Sequence, residues 1–346
     1  MGIAVNAGQI STTLRTAGFH NCAATVVGYG FVGKEYVKAL RRLGVRRMRV
    51  CSRSAAPMAE LAQEGLSTVA GGFDKLNFVP EPGELGIIGT PCSSLIPAAQ
   101  HLIGLGFRKL LIEKPVAWQS AEVERFAAFC VRTQVDAAVA YNRVAYPAVL
   151  ELLARGAAEG GFTSCRYTFT EMVKPDWPRR FRADDLARWG FANSLHVLSL
   201  AHCAIGMPGP SSHYHAGQGR FAWHEGSNVL TGAGVSERGI PFSYHADWGA
   251  ADRWSVELHT AAASYRLCPL EELRRKTASL AEWEKVPLDV FDPGLKVGFA
   301  EELAVMLKPD LRELVPMYTL SQTAALARFG EAVFGYAKKV EHECSA

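Results

Sequence analysis

The chain has 346 residues, 49% of them apolar, with 37 Lys and Arg against 34 Asp and Glu for a net charge of +3. That length suits two domains or one large one with a full core, and a charge so close to balance argues against nucleic acid or an anionic membrane as a partner. Eight scattered cysteines (22, 51, 92, 130, 165, 203, 268 and 344), without paired short spacings, read as reduced cytosolic thiols, neither a disulfide framework nor a zinc site.

No apolar run approaches the roughly 20 residues that span a bilayer, and the N-terminus lacks a basic segment followed by an apolar core. The expected location is therefore cytoplasmic. Residues 1–20 read as a short arm before the first strand. An apolar β-type run, Ala23 to Val27, then leads into Gly28-Tyr29-Gly30-Phe31-Val32-Gly33, and an amphipathic helix follows over Tyr36 to Leu43. In this Gly-x-Gly-x-x-Gly pattern the first glycine permits the tight turn. The second lets a pyrophosphate approach the backbone, and the third lets helix and strand pack closely. The helix N-terminus adds unpaired N–H groups for phosphate.

A second short strand, Arg47 to Cys51, runs into Ser52-Arg53-Ser54. An NAD-preferring site usually carries an acid here for the ribose 2′-hydroxyl. Arginine and serines suit a 2′-phosphate instead, so NADP(H) is favoured and NAD(H) is possible. Leu85 to Gly89 reads as a buried strand ending in Thr90-Pro91, with Ser93 or Ser94 as cap of a helix reaching Gly104. Arg108 to Ile112 is another strand and enters Glu113-Lys114-Pro115. A helix over 120–133, capped by Ser120, and a strand over Gln134 to Tyr141 follow. Strands alternating with helices predict a doubly wound parallel sheet, with ligands at the carboxyl ends of its strands.

The glycine turn, Thr90-Pro91, the strand-borne Glu113-Lys114-Pro115 about eighty residues beyond the turn, and Tyr141-Asn142-Arg143 followed by Pro147 together resemble the Gfo/Idh/MocA oxidoreductases. The resemblance spans about residues 22–205 by motif. It implies a lysine at 114 beside the nicotinamide and the substrate hydroxyl, and a cis peptide before Pro115. A lysine that is partly desolvated near a cationic ring has its pKa lowered toward working pH, which suits proton relay. The chain departs from the family at Leu95, where relatives commonly carry His.

Arg143 to Ala158 is expected to be a helix linking two domains, and Ser164 to Met172 a strand. The basic, aromatic loop holding Trp177 and Arg179 suits a sugar face and an anion. Ala183 to Ile205 has helical spacing, with Asn193 and His196 on one face. The resemblance makes His196 a substrate-orienting or proton-shuttling partner of Lys114. Relatives flank it with acids where this chain has Ala192 and Ser199. From His213 onward, strands over 213–223, 228–236, 239–247, 253–260 and 263–268 predict an antiparallel sheet. His213 and His215 lack a third ligand, so no metal is expected. Helices over 296–307 and 319–339 close the chain.

The fold expected is α/β: a Rossmann domain over 20–141 and an α+β domain with an open sheet over 142–340. The activity expected is NAD(P)-dependent hydride transfer at a carbinol carbon of a sugar, sugar nucleotide or polyol. Lys114 and His196 are the catalytic candidates. Asn142, Arg143, Asn193, Trp177 and Arg179 are the substrate-binding candidates. Residues 28–33, 52–54, Thr90, Pro91, Glu113 and Lys114 would surround the cofactor. A homodimer or tetramer through the second sheet is implied by the resemblance. Two alternatives stand beside this: glycosidic-bond cleavage by transient redox with bound cofactor, and a non-catalytic dinucleotide-bound sensor or assembly subunit.

Overall fold

The computed structural model describes residues 6–336. The stretch expected to be an arm contains a helix, α1 (Ala7–Thr16), opened by a reciprocal cap between Asn6 and Gln9. Its buried face, Ala7, Ile10, Ser11 and Leu14, has the 3–4 residue spacing of an amphipathic helix, and the helix packs on the later helices Pro147–Ala158 and Phe299–Leu307.

Next come β1 (Ala23–Val27), α2 (Phe31–Leu43), β2 (Arg47–Ser52), α3 (Ala55–Gln63) and β3 (Ser67–Ala70). Then follow β4 (Leu85–Ile88), α4 (Leu95–Leu105), β5 (Lys109–Glu113), α5 (Ser120–Arg132) and β6 (Asp136–Ala140). All five side chains of β1 are buried, as a central parallel strand covered on both faces requires. Helix α2 turns Tyr36, Val37, Leu40 and Leu43 inward and stops at Gly44, whose φ of 85° places it in the left-handed region. Strands β1 to β6 are parallel, in the order β6-β5-β4-β1-β2-β3. The chain order reverses between β1 and β4, so the crevice beyond their carboxyl ends is where such a sheet receives a ligand. Strand β15 (Tyr318–Thr319), from near the other end of the chain, pairs antiparallel with β6.

The second half begins with a 3₁₀ turn (Asn142–Ala145) and α6 (Pro147–Ala158), which starts on a proline at its first position. Strand β7 (Ser164–Thr168) ends before Met172 because Thr168 and Thr170 bond to each other and to the backbone in place of the ladder. The single helix expected over 183–205 is three pieces. After α7 (Trp177–Arg180) these are α8 (Ala183–Ala187), a π turn (Gly190–Ser194) and α9 (Leu195–Ile205). The π turn coincides with Gly190, where a Cβ would lie 2.4 Å from the Phe334 ring.

Strands β8 (Pro208–Ala216), β9 (Val229–Ser236), β10 (Pro241–Asp247), β11 (Ser255–His259) and β12 (Ser264–Leu267) continue the chain, followed by β13 (Leu273–Lys276) and β14 (Glu284–Lys285). With β7 they form an eight-stranded sheet in the order β14-β13-β12-β11-β7-β10-β9-β8. All its pairs are antiparallel except β7 with β10. Helices α10 (Phe299–Leu307) and α11 (Leu320–Phe334) finish the described chain. The part of the last expected helix beyond 336, and Cys344, lie outside the described residues. Helix α11 packs on α5, and Glu331 accepts from both the backbone N–H and the hydroxyl of Ser120, each at 2.7 Å. Ser120 therefore ties two helices together, and Gln119 takes the N-cap position expected for it. Ser94 occupies the cap of α4 without a side-chain cap bond.

Candidate functional site

The glycine turn is built from three different steric demands. Gly28 has φ of 97°, and a Cβ there would lie 2.5 Å from the Gly89 carbonyl oxygen. A Cβ on Gly33 would lie 1.9 Å from the Gly28 carbonyl oxygen, so α2 comes this close to the turn after β1 only because position 33 is bare. A Cβ on Gly30 would meet nothing within 4 Å. Open space over Gly30, at the N-cap of α2, is a cradle that fits a diphosphate on the first-turn amides of Phe31, Val32 and Gly33.

Around this cradle, Tyr29 and Val32 are half-buried. Phe31 is 72% exposed, with the Lys296 ammonium 4.3 Å over its ring. Ser52 is half-buried at the end of β2, and Arg53 and Ser54 are exposed beside it. Pro91 follows β4, and the buried hydroxyl of Thr90 has no partner among the described residues. Leu95 is buried in the core.

Lys114 follows β5 directly, and its peptide bond to Pro115 is cis. Its ammonium donates to the carbonyl of Ala192, in the π turn before α9. π turns free a carbonyl from its regular helical partner and recur at functional sites. Burial lowers the Lys114 pKa to about 8; Glu113 opposes that shift and Arg143 adds to it. Glu113 faces the other way, accepting from the Tyr36 hydroxyl at 2.8 Å.

His196 is buried, and its Nδ1 has no partner among the described residues. Burial, and then Arg143, Lys114 and Lys296, push its pKa well below 6.5, so the ring is neutral near neutral pH. Ser199 donates to the His196 carbonyl at 3.0 Å and accepts, through its own carbonyl, from Tyr318 at 2.7 Å.

Asn193 donates its side-chain amide to both oxygens of Glu171, each at 3.0 Å, and the Trp189 indole N–H donates to the same carboxyl at 2.7 Å. Asn142 donates to the Val297 carbonyl at 3.1 Å. The Arg143 guanidinium lies 5.1 Å from the centre of the Trp254 ring. Arg143, Glu171 and Trp254 line one cavity of about 400 Å³. The structure thus gathers Lys114, Arg143, Asn193 and His196 into one neighbourhood. Trp177 stands behind it, 9% exposed, its ring packed on Trp189 and Phe181 at 4.6 and 5.5 Å. Arg179 is exposed on α7.

Sequence reasoning missed Glu171 and Trp254. The one signal for Glu171 was a lone acid closing the β-type run Tyr167-Thr168-Phe169-Thr170-Glu171. Trp254 had no local signal. His213 contacts Ser211 and Tyr244, and His215 contacts the Val333 carbonyl. Among the described residues no group of three or more His, Cys, Asp or Glu side chains is placed to hold a metal, and no helix is long and apolar enough to cross a membrane.

Neither a protein-family model nor a curated protein sequence matches the chain. Solved structures do match in fold. Levoglucosan dehydrogenase in complex with NADH aligns with a TM-score of 0.71 at 17% identity, covering 90% of this chain and 95% of that one. UDP-N-acetylglucosamine 3-dehydrogenase GnnA from Acidithiobacillus ferrooxidans aligns with a TM-score of 0.69 at 16% identity, covering 90% and 96%. An oxidoreductase from Agrobacterium radiobacter in complex with NAD+, L-tartaric acid and magnesium gives 0.70 at 13% identity, covering 90% and 95%. The chain therefore shares the fold of these proteins over nearly its whole length: a Rossmann-type parallel sheet joined to a large, mostly antiparallel one.

Proposed function

We propose that the chain is an NAD(P)-dependent oxidoreductase of the Gfo/Idh/MocA type, acting on a carbinol carbon of a sugar, sugar nucleotide or related polyol. The observation that carries this reading is Lys114. It is a half-buried lysine whose amine has a pKa lowered to about 8, at the carboxyl end of a parallel strand two positions along the sheet from the glycine turn. The names of the structural neighbours, sugar dehydrogenases among them, support the same class.

Gly28, Gly30, Gly33 and the first-turn amides would hold the diphosphate, and Ser52, Arg53 and Ser54 the adenosine ribose, with NADP(H) favoured over NAD(H). Thr90 and Pro91 would border the nicotinamide end. When bound, the dinucleotide supplies the acceptor or donor of hydride. Lys114 takes the hydroxyl proton as the carbinol is oxidised and returns it in the reverse direction. His196, neutral and buried, orients the hydroxyl. Arg143, Asn142 and Asn193 shape the substrate side. Assembly into a dimer or tetramer through the second sheet, whose exposed side chains include Tyr214 and Val235, belongs to the same reading.

The test follows reduced-cofactor absorbance with NADP+ and NAD+ over a panel of neutral sugars, sugar nucleotides and polyols. Turnover with at least one is expected. Tight dinucleotide binding with no turnover across the panel would instead favour a sensor or assembly role.

A further inference from the structure

Two side chains in the site compete for the role of second polar partner to a substrate, and their environments differ. His196 is buried on α9, and its pKa is pushed far below its ordinary value, so it neither charges nor titrates near neutral pH. Glu171 is fixed from two sides by Trp189 and Asn193, yet it has no cation within ion-pair distance among the described residues. It lines the cavity of about 400 Å³ that also exposes Arg143 and the Trp254 ring. Asn193, which holds it, is the residue next to Ala192, whose carbonyl receives Lys114. The clamp on Glu171 and the seat of Lys114 are thus consecutive residues of one π turn.

We propose that Glu171 is a specificity residue of the site, accepting a hydrogen bond from a hydroxyl on the part of the substrate that does not react. A carboxylate accepts through as many as four lone-pair sites. Its bonds from Trp189 and Asn193 leave capacity toward the cavity. The inference rests on the oxidoreductase reading of Lys114 and its neighbours and adds to it a second anchoring point, just beyond the end of β7.

Charge supports the same assignment. Burial raises the Glu171 pKa to about 7, against the bonds from Trp189 and Asn193 and the pull of Arg143. The other charged groups lining the cavity are Asp252, Arg253 and Glu271. The ionised carboxylate is the stronger acceptor, so affinity for a hydroxylated ring rises as pH rises through about 7.

The test is isothermal titration of the full chain, with and without NADH, against levoglucosan, D-glucose, myo-inositol and N-acetylglucosamine, from about pH 5 to 9. At least one ring is expected to bind the wild type, more tightly above about pH 7. Glu171→Gln should weaken that ring about tenfold or more, the scale of a lost hydrogen bond to a charged group, and should abolish the pH step. Glu171→Asp, which keeps a carboxyl, should retain a pH step. Ring binding that Glu171→Gln leaves unchanged, or no ring binding in either state, overturns the proposal. Ring binding that depends on residue 171 while NADH fails to bind would support this inference and remove the dinucleotide reading, so the two failures are distinct.

Discussion

The Tyr36 hydroxyl lies within hydrogen-bond distance of both Glu113 and Glu302, at 2.8 and 3.1 Å, in a place where all solvent is excluded from the tyrosine. One hydroxyl proton cannot serve two carboxylates, so the arrangement requires a second proton. Burial, together with the charge of Glu113, raises the Glu302 pKa well above 4.5 and places that proton on Glu302. Glu113 itself is raised by burial and drawn back by Lys114 and by the Tyr36 hydrogen bond.

This cluster makes stability depend on pH in a stated direction. A carboxyl whose folded pKa is raised contributes fully below its unfolded value near 4.5, and that contribution is lost as pH rises through the folded value. Within that window the loss is about 1.4 kcal/mol per pH unit. Glu302→Gln, which keeps the shape of the protonated acid, should remove this loss. Thermal unfolding of both proteins across pH reads it, with the variant gaining relative to the wild type as pH rises. Tyr36→Phe strands both carboxyls and should cost about 2–4 kcal/mol in denaturant unfolding.

The glycine turn separates folding from binding. Gly33→Ala sets a Cβ 1.9 Å from the Gly28 carbonyl oxygen and must push α2 off β1, a cost of about 1–3 kcal/mol or more. Gly30→Val faces open space and should leave the melting temperature nearly unchanged while weakening NADH binding about tenfold or more. Calorimetry on the two variants checks both halves of the statement. Equal losses of stability would contradict it.

Arg53 is exposed beyond β2, in a Ser52-Arg53-Ser54 stretch that itself contains no acid, with Asp74 nearby on the far side of Gly72. Arg53→Ala should weaken NADP(H) about tenfold, through the loss of a charge-assisted contact to the 2′-phosphate, and leave NAD(H) within about twofold. Paired titrations with the two cofactors measure the difference.

The parts of this fold that repeat a local rule were legible in the sequence. Five strands of the first sheet (β1, β2, β4, β5 and β6), the glycine turn and the helix behind it follow from apolar runs and glycines whose reasons are local; β3, which has no fully buried residue, and the two-residue β15 were missed. The capped helix α1 was missed because its cap, Asn6 with Gln9, is a side-chain exchange and its amphipathic face carries only two large apolar side chains, Ile10 and Leu14. The helix expected over 183–205 broke because Gly190 packs against Phe334, a partner 144 residues away. Within the site, Lys114 was readable from its strand and tripeptide. Glu171 and Trp254 were not, since tertiary packing alone brings them beside Arg143. Trp177 has the composition of a sugar platform, yet Trp189 and Phe181 cover its ring.

Hydride transfer in Lys114→Ala, followed by stopped-flow fluorescence of the reduced cofactor with whichever sugar or polyol turns over, tests the central claim most directly. The account predicts unchanged dinucleotide affinity and a rate at least about 10²-fold lower, the usual scale for a general acid–base group. It also predicts that the wild-type oxidation rate climbs as pH rises through about 8, because the acceptor is the neutral amine, and that this limb is missing from the variant. A variant that turns over at the wild-type rate with the same pH profile would contradict it.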